Sequence, residues 1–289
     1  MIRFNSFGKD DRNYLILETL PNVIIAGMFF SRTLKFLKYI MFSKHLKGHG
    51  IHSPFVFHLV SGVFRNKIDP DIVLTIENIR KNRISDRRII DVIDLGAGPS
   101  MKKSSVRRVS DIAKYSAVPE KYGKLLLNLA AEFGKPAIIE FGTSLGISTM
   151  YQASGCREAV VYTMEGSPSL AELARENFRE AGLENIRLLT GSFEDLLSEI
   201  SEKVNTPGLV FIDGNHRKEP LLRYFGHMAE ISGNDTVIVI DDIHLSPEME
   251  EAWKGIRQYE NVSFTIDIFR MGLVFFRDGM NHFDYVIRY

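Results

Sequence analysis

The chain predicts an α/β fold: a Rossmann-like, doubly wound sheet, mostly parallel, with an antiparallel pair at one edge and a helical appendage before it. Three observations predict it. Short apolar runs alternate with amphipathic stretches from residue 116 to residue 289. Three of those runs end on an acid, at Glu140, Glu165 and Asp213. A glycine turn, Gly142-Thr-Ser-Leu-Gly146, follows the first of them and leads through Ser148 and Thr149 into a helix.

The elements follow in order. Tyr122 to Phe133 reads as a helix, and Ala137 to Ile139 as a buried strand ending at Glu140. Glycines in the turn after it free the backbone from Cβ clashes, and the helix start beyond favours an anionic group. Ala159 to Glu165 is a second strand, its acid about 20 residues past the turn, where a ribose hydroxyl is held in such folds. Gly166 and Ser167 lead into a helix from Pro168 to Ala181, with Ser167 as its expected N-cap. Ile186 begins a short strand that runs into Gly191-Ser192-Phe193, where an adenine ring would lie. Gly208 to Asp213 is the fourth strand and Val239-Ile240 belongs to the fifth, ending on Asp241-Asp242. Helices are expected at Phe193 to Glu202, Glu219 to Ile231 and Pro247 to Tyr259. Val262 to Phe269, Gly272 to Arg277 and Phe283 to Arg288 are rich in β-branched and aromatic residues and read as the last strands. Ligands of open α/β sheets lie outside the carboxyl ends of the strands, which is where all these acids stand.

At these residues the chain resembles a class I S-adenosylmethionine-dependent methyltransferase. The resemblance rests on Glu140-Phe-Gly-Thr-Ser-Leu-Gly-Ile-Ser148, Glu165, Gly191-Ser192, Phe211-Ile-Asp-Gly-Asn-His216 and Val239-Ile-Asp-Asp-Ile-His244. The form of its first motif is most similar to the catechol and caffeoyl-CoA O-methyltransferase branch. It implies S-adenosyl-L-methionine held by Glu140, Gly142, Thr143, Ser144, Gly146, Ser148, Glu165, Gly166, Gly191, Ser192, Phe193 and Asp213. The segment Gly48-His-Gly-Ile-His-Ser-Pro-Phe-Val-Phe57 also resembles a group of bacterial methyltransferases.

Asp213, Asp241 and Asp242 share the carboxyl edge. Carboxylates converging there repel one another unless a cation neutralises them, and oxygen ligands suit Mg²⁺. The resemblance implies the same site, with Asp242 standing where the similar enzymes have Asn. A reading without metal makes Asp241 a helix cap and gives Asp213 to the cofactor. His216 follows Asp213 by three residues, at the offset where the resembling enzymes carry a lysine base. A histidine can accept a hydroxyl proton near neutral pH. His244, two residues after the acidic pair, is the second candidate base. His49 and His52 have no carboxylate neighbour in sequence and read as structural or substrate-gating.

Composition bounds the rest. Formal net charge is +0, which argues against nucleic acid as a partner and leaves a small-molecule acceptor. One cysteine, Cys156, excludes an internal disulfide and fits a reducing cytoplasm. The apolar stretch from Leu20 to Phe30 is about half the length a bilayer needs. Residues 1–27 read as a variable tail, with Met28 as an alternative start, and residues 28–115 as a helical and lid region before the domain at 116–289. Within it, Arg32, Lys35 and Lys38 recur at helical spacing; a peripheral membrane contact through residues 28–47 is the less favoured reading against a solvated basic face. Ile72, Ile76 and Ile79 share a helix face. Ile93-Asp-Leu-Gly-Ala-Gly98 mimics a cofactor turn, but no strand ending in an acid follows it at the required distance, so it reads as a lid or loop. Two other functional classes compete. A nicotinamide-dependent oxidoreductase shares the strand-acid logic but would need a catalytic Tyr-x-x-x-Lys set. A non-catalytic cofactor-binding protein would not need Asp213, His216, Asp241 and Asp242 together.

Overall fold

A computed structural model describes residues 33–41, 43, 50–94, 103–280 and 282–289. The expected tail at 1–27, His49, the segment 44–49 and the Gly96–Gly98 loop lie outside the described residues. The chain divides into two units, Met1–Phe42 and Ser43–Tyr289. In the first, α1 spans 33–41, and its Phe36 and Tyr39 rings stack at 6.2 Å.

The second unit begins with α2 (Pro54–Ser61), a 3₁₀ turn (Val63–Arg65) and α3 (Pro70–Ile84). Ser53 caps α2 and Asp69 caps α3, each ahead of a proline in the first turn, which has no amide to satisfy. Ile76 and Ile79 of α3 are buried, as their spacing predicts. Then the structure departs from expectation. Ile89–Asp94 (β1) and Lys103–Arg108 (β2) pair antiparallel as a separate two-stranded sheet, followed by α4 (Val109–Tyr115). These strands carry exposed apolar residues, Ile89 and Val106, beside charges, so neither period dominates their sequence. The strand that the glycine pair follows in sequence, β1, therefore pairs with β2 and belongs to no part of the main sheet.

From residue 120 the predicted alternation holds. The order is α5 (Glu120–Phe133), β3 (Ala137–Phe141), α6 (Ile147–Gly155), β4 (Val160–Glu165), α7 (Pro168–Glu180), β5 (Ile186–Thr190) and α8 (Phe193–Lys203). It continues with β6 (Leu209–Ile212), α9 (Lys218–Glu230), β7 (Val237–Ile240), α10 (Pro247–Arg257), β8 (Phe264–Asp267), β9 (Gly272–Phe275) and β10 (Phe283–Val286). The sheet runs β10-β8-β9-β7-β6-β3-β4-β5. All pairs are parallel except those of β9, which is antiparallel to β7 and to β8. The antiparallel pair thus sits toward one edge, and β10 closes that edge. Strands β3, β6 and β7 are buried on both faces, which explains the unbroken Val/Ile/Leu/Phe sequences of β6 and β7 and the apolar start of β3. One core layer joins the sheet to α2, α3, α5, α6 and α7; the other joins it to α8, α9 and α10. Among the described residues no helix is long and apolar enough to cross a membrane.

This topology aims β3, β4, β6, β7 and β8 the same way. Their carboxyl ends form one rim, and the β8–β9 turn returns to it. Four non-glycine residues with left-handed backbone stand there: Ser144, Asn215, Asp242 and Phe269, with φ of 50°, 51°, 51° and 71°. Such strain concentrates where surrounding structure fixes a functional loop.

Candidate active site

The rim has two parts. The first is the turn between β3 and α6. Gly142 has φ +94°, and a Cβ there would stand 2.2 Å from the carbonyl oxygen of Asp213. Gly146 has φ +75°, and its Cβ would meet the Phe178 ring at 2.3 Å. Both glycines are thus required by protein neighbours, whatever they also allow a ligand to do. The amides of Gly142 and Thr143 donate to the Met164 carbonyl at 3.1 and 3.0 Å, tying the turn to β4.

Glu140 departs from the expected cofactor contact. It is fully buried, and its carboxylate accepts from Thr149 Oγ1, from Gln152 Nε2 at 2.7 Å and from Thr163 Oγ1 at 2.6 Å. The last residue but one of a two-face-buried strand points into the domain, so this acid pins α6 and β4 to β3. Burial pushes its carboxyl above the ordinary range against those hydrogen bonds. Thr143, Gly146 and Ser148 are buried with it, whereas Gly142 and Ser144 are half-buried at the rim.

Glu165 stands at the end of β4, 8% exposed. One carboxylate oxygen accepts from the Ser144 amide at 2.7 Å, and the other from the Ser167 amide at 2.8 Å. This acid therefore spans the two loops that a nucleotide-type ligand would lie between. Ser167 is not the side-chain cap expected of it; its Oγ faces the amide of Ile93 in β1 at 3.4 Å. Gly166, Gly191, Ser192 and Phe193 are half-buried along the same rim. Ser192 caps α8 by accepting from the Asp195 amide at 3.2 Å. Phe193 packs edge-on against Phe141 and Tyr224, each with centroids 5.5 Å away.

The second part holds the acids after β6 and β7. Asp213 is half-buried, and burial together with the charges of Asp241 and Asp242 holds its carboxyl well above the usual carboxylate range. His216 Nε2 lies 3.6 Å from Asp213 Oδ1, beyond hydrogen-bond distance. Asp241 is fully buried. It does not cap a helix, nor does it face a vacant cation position. Arg270, from the β8–β9 turn, donates to it in bidentate fashion, Nε to Oδ1 at 2.9 Å and a terminal nitrogen to Oδ2 at 2.6 Å. That same nitrogen lies 3.9 Å from Asp242 Oδ2. Tyr122 covers the guanidinium at 5.7 Å from its ring centroid. Burial pushes the Asp241 carboxyl up, the guanidinium pulls it down, and Asp242 pushes it up again.

The cation site expected from the three aspartates is corrected here. Among the described residues no group of three or more His, Cys, Asp or Glu is placed to hold a metal ion. The residues present do not fit Mg²⁺, because both oxygens of Asp241 already face a side-chain cation. Sequence reasoning missed Arg270. The available signal was a single basic residue, Asp267-Ile-Phe-Arg-Met271, in a turn between two strand-like runs. That turn must return to the rim whenever the preceding strand is parallel to β7.

His244 is corrected as well. One ring nitrogen, Nε2, contacts Asp267 at 2.8 Å, and the other, Nδ1, contacts Glu250 at 3.1 Å. Burial favours the neutral ring, but these two carboxylates outweigh it and raise its pKa. With a carboxylate at each ring nitrogen, His244 ties β8 to α10. Of the two candidate bases, the rim presents His216. His52 is exposed, before α2.

Comparison with known proteins agrees with this architecture. A family described as a methyltransferase domain matches residues 139–243, from β3 past the end of β7. A protein of Mycobacterium sp. (strain JLS) that carries an O-methyltransferase name is 31% identical over 151 residues, covering 47% of this chain and 68% of its own. Among solved structures, the O-methyltransferase from Bacillus cereus in complex with S-adenosylhomocysteine is similar with TM-score 0.51 and 22% identity, over 76% of this chain and 97% of that one. Cofactor-bound Rv0187 from Mycobacterium tuberculosis is similar with TM-score 0.52 and 20% identity, over 78% and 95%. With its rim of strand-end acids, its glycine turn and these relatives, the chain belongs to the class I S-adenosylmethionine-dependent O-methyltransferases.

Proposed function

We propose that this chain binds S-adenosyl-L-methionine along the rim from β3 to β5 and transfers its methyl group to a hydroxyl of a small-molecule acceptor lying over β6 and β7. The observation that carries the reading is Glu165, whose carboxylate bridges the amides of Ser144 and Ser167 at the mouth of the glycine turn. When bound, the cofactor supplies an electrophilic sulfonium methyl. The chain's residues do the rest. Glu165 holds ribose hydroxyls with charge-assisted hydrogen bonds. Gly142, Ser144 and Gly166 present backbone at the rim, and Gly191, Ser192 and Phe193 border the adenine end. Asp213, with its carboxyl held up toward the neutral form, borders both halves. His216 accepts the acceptor's hydroxyl proton. Alignment of the two reacting atoms provides most of the rate effect, so no nucleophilic side chain is needed.

Calorimetry with S-adenosylhomocysteine tests the reading. Wild-type protein binds it, and Glu165→Gln lowers the affinity about tenfold or more, as loss of a charged hydrogen bond of about 1.5–3 kcal/mol requires. Equal affinity in the variant would move the ribose away from β4. No binding by wild type, with binding of NADH instead, would favour the oxidoreductase reading.

A further inference from the structure

We infer that the Arg270 guanidinium is the resident cation of the Asp213–Asp241–Asp242 cluster, that it excludes a divalent metal there, and that methyl transfer by this chain is metal-independent. The last clause rests on the proposed function; the first two do not.

The geometry carries it in three steps. First, the charge is already matched where it is most deeply buried. Asp241 is 0% exposed, and both its oxygens lie within 2.9 Å of Arg270 nitrogens. A hard cation would need those lone pairs, and it would have to sit beside a permanent positive charge. Second, Arg270 is held from several sides. Its amide donates to the Ile268 carbonyl at 2.9 Å, and its carbonyl accepts from the Ile243 amide at 3.2 Å, directly after the acidic pair. Asp267 accepts from the Phe269 amide at 2.7 Å and fixes the left-handed residue of the turn. Tyr122 of α5 lies across the guanidinium. Arg270 is therefore part of the rim's framework and not a surface side chain resting on it. Third, the guanidinium reaches past Asp241 to Asp242, with a terminal nitrogen 3.9 Å from Asp242 Oδ2. It is a positioning residue: it orients Asp241 and offsets part of the rim's negative charge where the acceptor oxygen loses its proton. A divalent ion supplies that field in other enzymes; here a planar, always-charged side chain does so.

The test uses untagged full chain and Mn²⁺ as the probe. Free Mn²⁺ is followed by its paramagnetic resonance signal, and thermal midpoints are compared in Mg²⁺ and in EDTA. Wild type is expected to take up no stoichiometric Mn²⁺ and to show one midpoint in both conditions. Arg270→Ala, which uncovers three carboxylates, is expected to gain one Mn²⁺ site and a midpoint raised by Mg²⁺; Arg270→Lys, which keeps the charge, is expected to gain neither. Saturable Mn²⁺ binding by wild type that disappears in Asp242→Asn would overturn the inference. So would Arg270→Ala that folds and still binds no Mn²⁺. If Arg270→Ala does not fold, the wild-type and Asp242→Asn titrations decide alone. Turnover unchanged in EDTA supports metal independence, and turnover lost in EDTA and restored by Mg²⁺ overturns it. Failure of the proposed function shows separately, as absence of S-adenosylhomocysteine binding in calorimetry.

Discussion

Two fully buried acids on neighbouring parts of one sheet are treated in opposite ways. Glu140, on β3, is surrounded by neutral donors: two threonine hydroxyls and a glutamine amide. Asp241, after β7, is met by a guanidinium that takes both oxygens. Hydroxyl and amide donors satisfy lone pairs without cancelling charge; burial raises both carboxyls, and only at Asp241 does a neighbouring cation oppose it. The guanidinium cancels charge and fixes orientation together. The β3–β4 part of the rim is thus a hydrogen-bonded frame, and the β6–β7 part is held by a charge pair. The difference teaches that a cluster of acids does not by itself call for a metal. The deciding question is whether the fold returns a basic side chain to the same place.

The contrast can be broken most forcefully at Arg270. Arg270→Ala leaves Asp241 buried and unpaired and is expected to cost about 3–5 kcal/mol in denaturant unfolding. Replacing both partners, Arg270→Met with Asp241→Leu, should recover most of that loss, since an apolar pair of similar bulk is often neutral. A single variant costing no more than a surface change would show that the pair does not neutralise the acceptor half.

The second effect sharpens the functional side. His216→Ala should lower kcat by about 10²-fold, as expected for a lost general base, with S-adenosylhomocysteine affinity unchanged. A variant with full kcat would remove His216 from the proton path and leave the acceptor half without a base.

A third, smaller effect reads the burial of Glu140 by pH. The folded protein holds the Glu140 proton more tightly than the unfolded chain does. That contribution is fully present below the ordinary value of 4.5 and is lost as pH rises through the folded value. Wild-type stability should therefore fall with rising pH above that point, and Glu140→Gln should flatten the fall. Parallel stability curves for the two proteins would mean that the fold does not raise the Glu140 carboxyl.

The smallest effect concerns His244. Its pKa is raised in the fold, so its contribution is complete below the ordinary 6.5 and is lost as pH rises through the folded value. His244→Gln should cost about 1 kcal/mol below that pH, in line with one modest hydrogen bond, and less above it. A cost that grows with pH would contradict the clamp between Asp267 and Glu250.

Legibility in the sequence follows the same division. Around β3 and β4 the chemistry is close in the chain: the glycine turn, Glu165 and the helix after it lie within one βαβ unit. The surroundings of Glu140 were not legible even so. Its motif position was plain, but which way it points depends on how completely β3 is covered. On the acceptor side Asp213, His216, Asp241 and Asp242 could be placed at strand ends, yet their partners could not. Arg270 is 29 residues from Asp241, and His244 is 23 from Asp267. No local pattern relates them. The β1–β2 hairpin was missed for another reason: its mixed, half-exposed strands carry no clear period.

The sequence alone determined the alternation of strands and helices from residue 120 onward, the parallel core, the glycine turn and the edge on which the acids would gather. Those follow from hydrophobic period and backbone chemistry, which act over a few residues. Only the tertiary structure decided which acids face inward, which histidine keeps a nitrogen for the rim, and which cation meets the aspartates. The β8–β9 turn reaches that rim because β9 inserts antiparallel between β7 and β8, a matter of strand pairing across the sheet. Burial and Coulomb energy depend on distance in space, and strand pairing brings residues together whatever their separation along the chain.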